Sequence, residues 1–151
     1  MSWLGRLTAL GLALPPVAAP AGAYVPAVRS GSLVFTAGQL PLVGGAMATT
    51  GKLGAEIDTE RGQELARTCM LNALAAVDGL VGLDAVVRVV KMVGFVASAP
   101  GFTAQPAVVN GASELLSEVF GAAGAHARSA VGVAELPLGA PIEVELIVEV
   151  S

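Results

Sequence analysis

The chain has 151 residues, of which 54% are hydrophobic and only 13% are charged, and its formal net charge is −4. High hydrophobicity with modest charge excludes intrinsic disorder, and the acidic balance with scattered lysines and arginines argues against a basic nucleic-acid-binding surface. The length predicts one domain, and because a protein of ~150 residues leaves roughly a third of its chain surface exposed, other subunits or a membrane must cover the excess apolar surface.

The first 21 residues form an apolar, proline-rich arm of the single domain predicted for residues 1–151. The most apolar stretch, Leu7 to Ala23, contains three prolines, which stop helices, so a spanning helix of ~20 residues does not fit. We expect the arm to be extended and to pack on the domain. A secretory signal is the alternative, with Arg6 as its charged region and Ala21-Gly22-Ala23 as its cleavage site.

Two short strands follow the arm, at Tyr24 to Val28 and at Ser32 to Leu40. Both segments are rich in β-branched and aromatic residues, and Arg29-Ser30-Gly31 separates them. The next stretch, Pro41 to Gly54, is glycine-rich and is predicted to be a loop, with a short strand near residues 47–50.

Two amphipathic helices are predicted after this loop. The first begins at Asp58, an N-cap candidate, and ends at about Gly79 or Gly82. The second begins near Thr103, which is its N-cap candidate, with Pro106 in its first turn. Each has apolar residues at the helical period, which indicates that each packs one face on a sheet. The apolar positions are Ala66, Cys69, Ala73, Val77 and Leu80 in the first helix, and Val108, Ala112, Leu115 and Val119 in the second.

A strand from Asp84 to Ala97 lies between the helices, and a hairpin is predicted at the end of the chain. Six valines in the middle strand predict a central position covered on both faces. The hairpin joins His126–Glu135 to Ile142–Val150 through a six-residue turn. In its last strand apolar residues alternate with glutamates, Glu143 among them, which gives one apolar and one anionic face.

The hairpin register predicts where Arg128 lies. If the turn pairs Leu136 with Pro141, Arg128 falls on the glutamate face, and the small residues Ala130 and Gly132 leave an empty floor beside it. The element order β-β-α-β-α-β-β predicts an α+β fold with both helices on one face of the sheet.

The chain has one histidine and one cysteine, which limits its chemistry. A Ser-His-Asp triad could only be built around His126, and a multi-histidine metal site is excluded. Cys69 cannot form an internal disulfide, and its place in the helix predicts a core residue. A single thiol suits a reducing compartment, so we expect a cytoplasmic protein without a metal or cofactor.

Two segments resemble the signatures of the RidA (YjgF/YER057c/UK114) family. The first is Tyr24–Val28 with Gly31–Pro41. The second is Ala127–Val131, continued by Glu135–Pro137 and Ile142–Glu145. With the order of the elements, the resemblance covers roughly residues 22 to 150.

The resemblance implies a fold, an assembly and an activity. The fold is a chorismate-mutase-like α+β fold, a mixed sheet with two helices on one face, assembled as a homotrimer with a site in each cleft between subunits. Family members hydrolyse reactive enamines and imines, such as the 2-aminoacrylate that pyridoxal-phosphate enzymes release, to 2-keto acids and ammonia; this is a 2-iminobutanoate/2-iminopropanoate deaminase activity. By motif position Arg128 would hold the substrate carboxylate and Glu143 would orient or activate the water, while Tyr24, Gly38 and Asn110 would line the pocket.

The sequence departs from the family pattern at three positions and leaves alternatives open. Ala37 stands where many members have serine, Ala130 where cysteine is frequent, and His126 where proline is frequent. A trimeric module that binds a small carboxylate without turnover is the main alternative, and an RNA-cleaving enzyme is disfavoured by the acidic balance. Without the resemblance, Arg128 would be an interface ion-pair partner of Glu143 or Glu145.

Overall fold

The elements follow the predicted order, with one additional helix near the N-terminus and one additional small hairpin. The computed structural model describes residues 1–151. Short 3₁₀ turns precede β5, β6 and β7. The helices are α1 (Trp3–Ala9), α2 (Thr59–Val81) and α3 (Gln105–Phe120), and the strands are β1 (Ala27–Ser30), β2 (Leu33–Thr36), β3 (Leu42–Val43), β4 (Ala46–Met47), β5 (Val86–Ala97), β6 (Ala127–Val133) and β7 (Ile142–Val150).

The main sheet has five strands in the order β1-β2-β7-β5-β6, and β3 with β4 forms the separate hairpin. The predicted terminal hairpin is wrong, because β5 lies between β6 and β7 and pairs with both. β6 runs parallel to β5, and β7 runs antiparallel to it. A parallel neighbour needs a long crossover connection, and α3 supplies it between β5 and β6.

Both long helices pack on one face of this sheet, as predicted. The apolar stripes of α2 and α3 are buried, except that Leu80 at the end of α2 is exposed. Cys69 lies in this core with its thiol 3.7 Å from the carbonyl oxygen of Ile142, and burial raises the pKa of the thiol well above its ordinary value. At Gly111 a side-chain carbon would overlap the backbone oxygen of Gln63, so this glycine lets α3 approach α2 closely.

The two helix starts differ in how they are capped. The Asp58 carboxylate accepts a hydrogen bond of 2.8 Å from the backbone N–H of Arg61, which confirms the predicted N-cap of α2. The predicted cap of α3 at Thr103 is wrong: Ala104 occupies the N-cap position and makes no side-chain hydrogen bond. Pro106 lies in the first turn of α3, where its missing N–H costs no intrahelical bond.

The N-terminal arm is partly helical rather than extended, because residues 3–9 form α1. The indole Nε1–H of Trp3 donates to the carbonyl of Val86 at 2.8 Å, and its ring meets that of Phe120 edge to face at a centroid distance of 5.1 Å. Leu7 is only 2% exposed. None of the helices is long and apolar enough to cross a membrane.

The opposite face of the sheet carries no helix, so β5 is not covered on both faces within one chain. Val28 and Phe35 are neighbours in the β1-β2 register, and Val131 lies beside Phe95 in the β5-β6 register. These valines and Phe35 are 40–52% exposed. This helix-free face is therefore apolar and open, with the glutamates of β7 on it.

Candidate active site

The sheet places the two predicted catalytic residues on opposite faces. Arg128 stands beside Met92 in the β5-β6 register, and Met92 is fully buried under the helices. Glu143 stands beside Phe95 on β5, while the next residue, Val144, is fully buried on the helix side. Paired residues point to the same face and successive residues to opposite faces. The predicted common surface of Arg128 and Glu143 is therefore wrong within one chain.

Arg128 lies at the edge of the helix side, where α3 supplies three acceptors for its guanidinium. Nη1 donates to Asn110 Oδ1 at 2.7 Å and to Ser113 Oγ at 3.2 Å, and Nη2 donates to the Pro106 carbonyl at 3.3 Å. Positions 106, 110 and 113 recur at the i, i+4, i+7 spacing that lines one side of a helix. The structure thus brings Asn110 to Arg128.

The guanidinium retains hydrogen-bonding capacity. An arginine has five N–H donors. In Arg128, three of them donate to acceptors within the chain. The Nε–H and one Nη2–H remain, and Arg128 makes no ion pair within the chain. The unused donors belong to two nitrogens of one planar cation, the group that binds the two oxygens of a carboxylate.

His126 extends this group behind Ser113. Its Nε2 lies 2.9 Å from Ser113 Oγ, and its Nδ1 lies 2.6 Å from the carbonyl oxygen of Gly124. We call Arg128, Asn110, Ser113 and His126 the arginine cluster.

Gly38 and Glu143 come together because Gln39 and Val144 exchange two backbone hydrogen bonds, of 2.7 and 3.0 Å. A side-chain carbon at position 38 would overlap Glu143 Oε1 and lie 2.8 Å from its Cδ. Only glycine leaves room for the carboxylate in this position.

The surroundings of Glu143 change its acidity. Half-burial raises the pKa of the carboxyl above its ordinary value, and the negative charge of Glu145 on the same strand face raises it further. A carboxylate with a raised pKa is a stronger proton acceptor, which suits a general base.

Tyr24 and Gly38 line a cavity of about 200 Å³, closed on one side by arm residues 18–21. The Tyr24 hydroxyl oxygen accepts the backbone N–H of Ala21 at 3.1 Å, so its own proton is free for another acceptor. Leu138 also lines the cavity and has a left-handed backbone, with φ 60°, which costs a leucine of the order of 1 kcal/mol. Glu143 adjoins this cavity through its contact with Gly38, and we call Tyr24, Gly38 and Glu143 the glutamate pocket.

Two details differ from the sequence-based prediction. The expected empty floor beside Arg128 is partly filled, since a side-chain carbon at Gly132 would lie 2.7 Å from Gln105 Nε2. Ser113 was not predicted at the site, although it follows Asn110 by three residues and therefore shares its helix side. The three-residue spacing from Asn110 could therefore have predicted Ser113 as a neighbour of Arg128.

Comparisons with known proteins agree with the fold. The family model described as Endoribonuclease L-PSP matches residues 16–150. Protein TCP17 of Trypanosoma cruzi is 50% identical over 150 residues, covering 97% of this chain and 92% of that protein. The crystal structure of Atu1372 from Agrobacterium tumefaciens superposes with a TM-score of 0.91 at 43% identity, over 99% of this chain and 92% of that one. The structure of E. coli TdcF with bound serine gives a TM-score of 0.67 at 29% identity, over 89% and 94%.

Proposed function

The chain belongs to the Endoribonuclease L-PSP family, the YjgF/RidA family, and on this premise we propose that it hydrolyses small 2-imino acids and their enamine tautomers to 2-keto acids and ammonia. The observation that carries the proposal is the pair of free N–H donors on Arg128. A 2-imino acid presents a planar carboxylate, which a guanidinium can bind through two parallel hydrogen bonds and a lysine cannot. The bound serine in TdcF is also a small amino acid with a carboxylate.

The reaction needs little from the protein beyond the positioning of the substrate, a water molecule and a base. The enamine takes up a proton at carbon to become the protonated imine, whose C=N carbon is electrophilic. A water oxygen adds to that carbon, the C=N electron pair moves to nitrogen, and Glu143 accepts the proton that the water loses. Glu143 then returns this proton to the amino nitrogen of the resulting carbinolamine. Ammonia leaves with the electron pair of the C–N bond, and the hydroxyl loses its proton to solvent as the C–O bond becomes the carbonyl. A positioned base of this kind contributes about 10²–10⁴ in rate.

The two faces of the sheet require a second subunit in this proposal. The arginine cluster and the glutamate pocket cannot meet within one chain, so a complete site needs Arg128 from one subunit and Glu143 from its neighbour. The open apolar face supports such an assembly, since exposed apolar patches of this kind mark interfaces. In line with the family resemblance, we propose that the site lies in clefts between the subunits of a homotrimer. The single thiol suits a reducing compartment, and we propose that the protein acts in the cytoplasm.

The activity can be tested by coupling the protein to a pyridoxal-phosphate enzyme that releases 2-aminoacrylate from serine. We expect pyruvate to form faster than by spontaneous hydrolysis, and Arg128→Ala to abolish the acceleration. Ser117→Ala, a change at an exposed position of α3, is the matched control and should leave the rate unchanged. Pyruvate release at the spontaneous rate, even at high protein concentration, would contradict the proposal.

The shared site has its own test, by mixing two inactive variants. Arg128→Ala and Glu143→Ala subunits are combined under conditions that allow exchange. If each site takes Arg128 and Glu143 from different subunits, random assembly restores about a quarter of the sites. If both residues came from one subunit, no mixture would recover activity.

A carboxylate-binding module without turnover is the second candidate, favoured by the same free donors on Arg128. It predicts saturable binding of pyruvate that Arg128→Ala removes, together with no acceleration in the coupled assay. An endoribonuclease, the activity for which the family is named, is disfavoured because the net charge of −4 opposes binding to a polyanion.

A further inference from the structure

We propose that Ser113 and His126 act as positioning residues that hold the guanidinium of Arg128 for the carboxylate of the ligand. The proposal rests on the proposed function for the identity of that ligand. It concerns three successive hydrogen bonds, which we call the relay. They run from Arg128 Nη1 to Ser113 Oγ at 3.2 Å, from Ser113 Oγ to His126 Nε2 at 2.9 Å, and from His126 Nδ1 to the Gly124 carbonyl at 2.6 Å.

When the imidazole is neutral, the chemistry of the end groups fixes the direction of every bond in this relay. A carbonyl oxygen only accepts, so His126 must carry a proton on Nδ1. In the neutral ring Nε2 then accepts, and the Ser113 hydroxyl must donate to it. With its proton committed to His126, the Ser113 oxygen turns its lone pairs to Arg128, which can only donate.

The relay acts together with the two other acceptors on α3. Asn110 accepts from Nη1, as Ser113 does, and the Pro106 carbonyl accepts from Nη2, so acceptors at both terminal nitrogens hold the guanidinium in one orientation. Without His126, the Ser113 hydroxyl could instead donate to a backbone carbonyl of its own helix, as serines in helices do. Its oxygen would then no longer be held for Arg128.

The tautomer of His126 tests the relay independently of any activity. Since His126 is the only histidine, the long-range ¹H–¹⁵N spectrum of the full chain contains a single imidazole. At about pH 8.5, where an ordinary imidazole is neutral, we expect protonation on Nδ1. A spectrum showing protonation on Nε2 would overturn the relay whether or not the protein is an enzyme.

Kinetics test whether the relay serves Arg128. Ser113→Ala should raise KM about three- to tenfold, less than the full value of a hydrogen bond to a charged group, because Asn110 and the Pro106 carbonyl still hold the guanidinium. The kcat should stay within about twofold, since the carboxylate is bound alike in ground and transition states. Ser113→Thr keeps the hydroxyl and should behave as wild type, as should the Ser117→Ala control. The dissociation constant of pyruvate, measured by calorimetry, should change in parallel and remains measurable if no turnover occurs.

The histidine is tested in the same way. His126→Leu should raise KM about two- to fivefold, and His126→Gln, which keeps an acceptor for Ser113, should restore it. Because both residues act through one path, His126→Leu should add nothing in a Ser113→Ala background. An unchanged KM and pyruvate affinity in Ser113→Ala, or full additivity of the two changes, would refute the inference. Failure of Arg128→Ala to affect either measurement would instead refute the proposed site.

Discussion

Replacing Gly38 by alanine should displace the Glu143 carboxylate while leaving the fold intact. The added carbon would overlap Oε1 and lie 2.8 Å from Cδ, so the carboxylate has to move. The φ of Gly38 is outside the left-handed region, and the backbone therefore accepts alanine without strain. Glu143 is half-buried rather than enclosed, so its side chain has room to take another rotamer.

The expected magnitudes for stability and rate differ widely. Moving Glu143 off its preferred rotamer costs about 0.5–1.5 kcal/mol, while exchanging glycine for alanine stabilises by about 0.4–1 kcal/mol through the unfolded chain. The free energy of unfolding should thus change by less than about 1 kcal/mol. The rate should fall by about 10²-fold or more, the contribution of a positioned base.

The coupled pyruvate assay and thermal unfolding of the same preparations measure both quantities. Gly38→Ala should add no further loss in a Glu143→Ala background, because the atoms it would displace are then absent. Wild-type kcat in Gly38→Ala, or a further large loss in the double variant, would show that the packing of Gly38 against Glu143 is not what the activity depends on.

Three further changes test the electrostatics and the packing. Because the pKa of Glu143 is raised in the folded state, the stability of the wild type falls as the pH rises through that pKa. Glu143→Gln should therefore raise the free energy of unfolding at neutral pH by at most about 1 kcal/mol, since the group is half-exposed and screened, and the gain should vanish in urea titrations at about pH 3.5. Gly111→Ala should destabilise by about 1–3 kcal/mol or more, because the new carbon meets the Gln63 backbone; an unchanged melting temperature would contradict the close helix contact. Leu7→Ala should cost about 2–5 kcal/mol in the same measurement, and a cost near zero would mean that α1 is not docked on the core.

The features that could be predicted from the sequence are those that local spacing determines. The helical period places Cys69 and Val108 in the core, and the Asp58 cap acts within four residues of itself. Strand pairing is not local in this sense. The alternation in β7 is equally compatible with a hairpin to β6 and with insertion of β5 between them, and burial of the valine-rich β5 decides the outcome.

The same pairing decides on which face Arg128 lies. In the predicted hairpin its face depends on the length of one turn, whereas in the observed sheet it is set by Met92 on β5. The family resemblance supplied Arg128 and Asn110 as candidates, and the structure brings them within hydrogen-bonding distance. The resemblance implied a site in each cleft between subunits, but neither it nor periodicity could show that Arg128 and Glu143 lie on opposite faces of the sheet of one chain, because that depends on the order of strands in space.

The buried thiol of Cys69 gives the protein a built-in reporter of its own opening. The thiolate is the form that attacks alkylating reagents, so a fully buried cysteine with a raised pKa reacts only from molecules in which α2 has separated from β7. As the chain has one cysteine, the fraction of molecules that gain the mass of one alkyl group over time reports the rate of opening without any engineered label. Its dependence on protein concentration would show directly whether subunit dissociation precedes opening of the core, since a protein that must associate to bury its apolar face should be labelled faster on dilution.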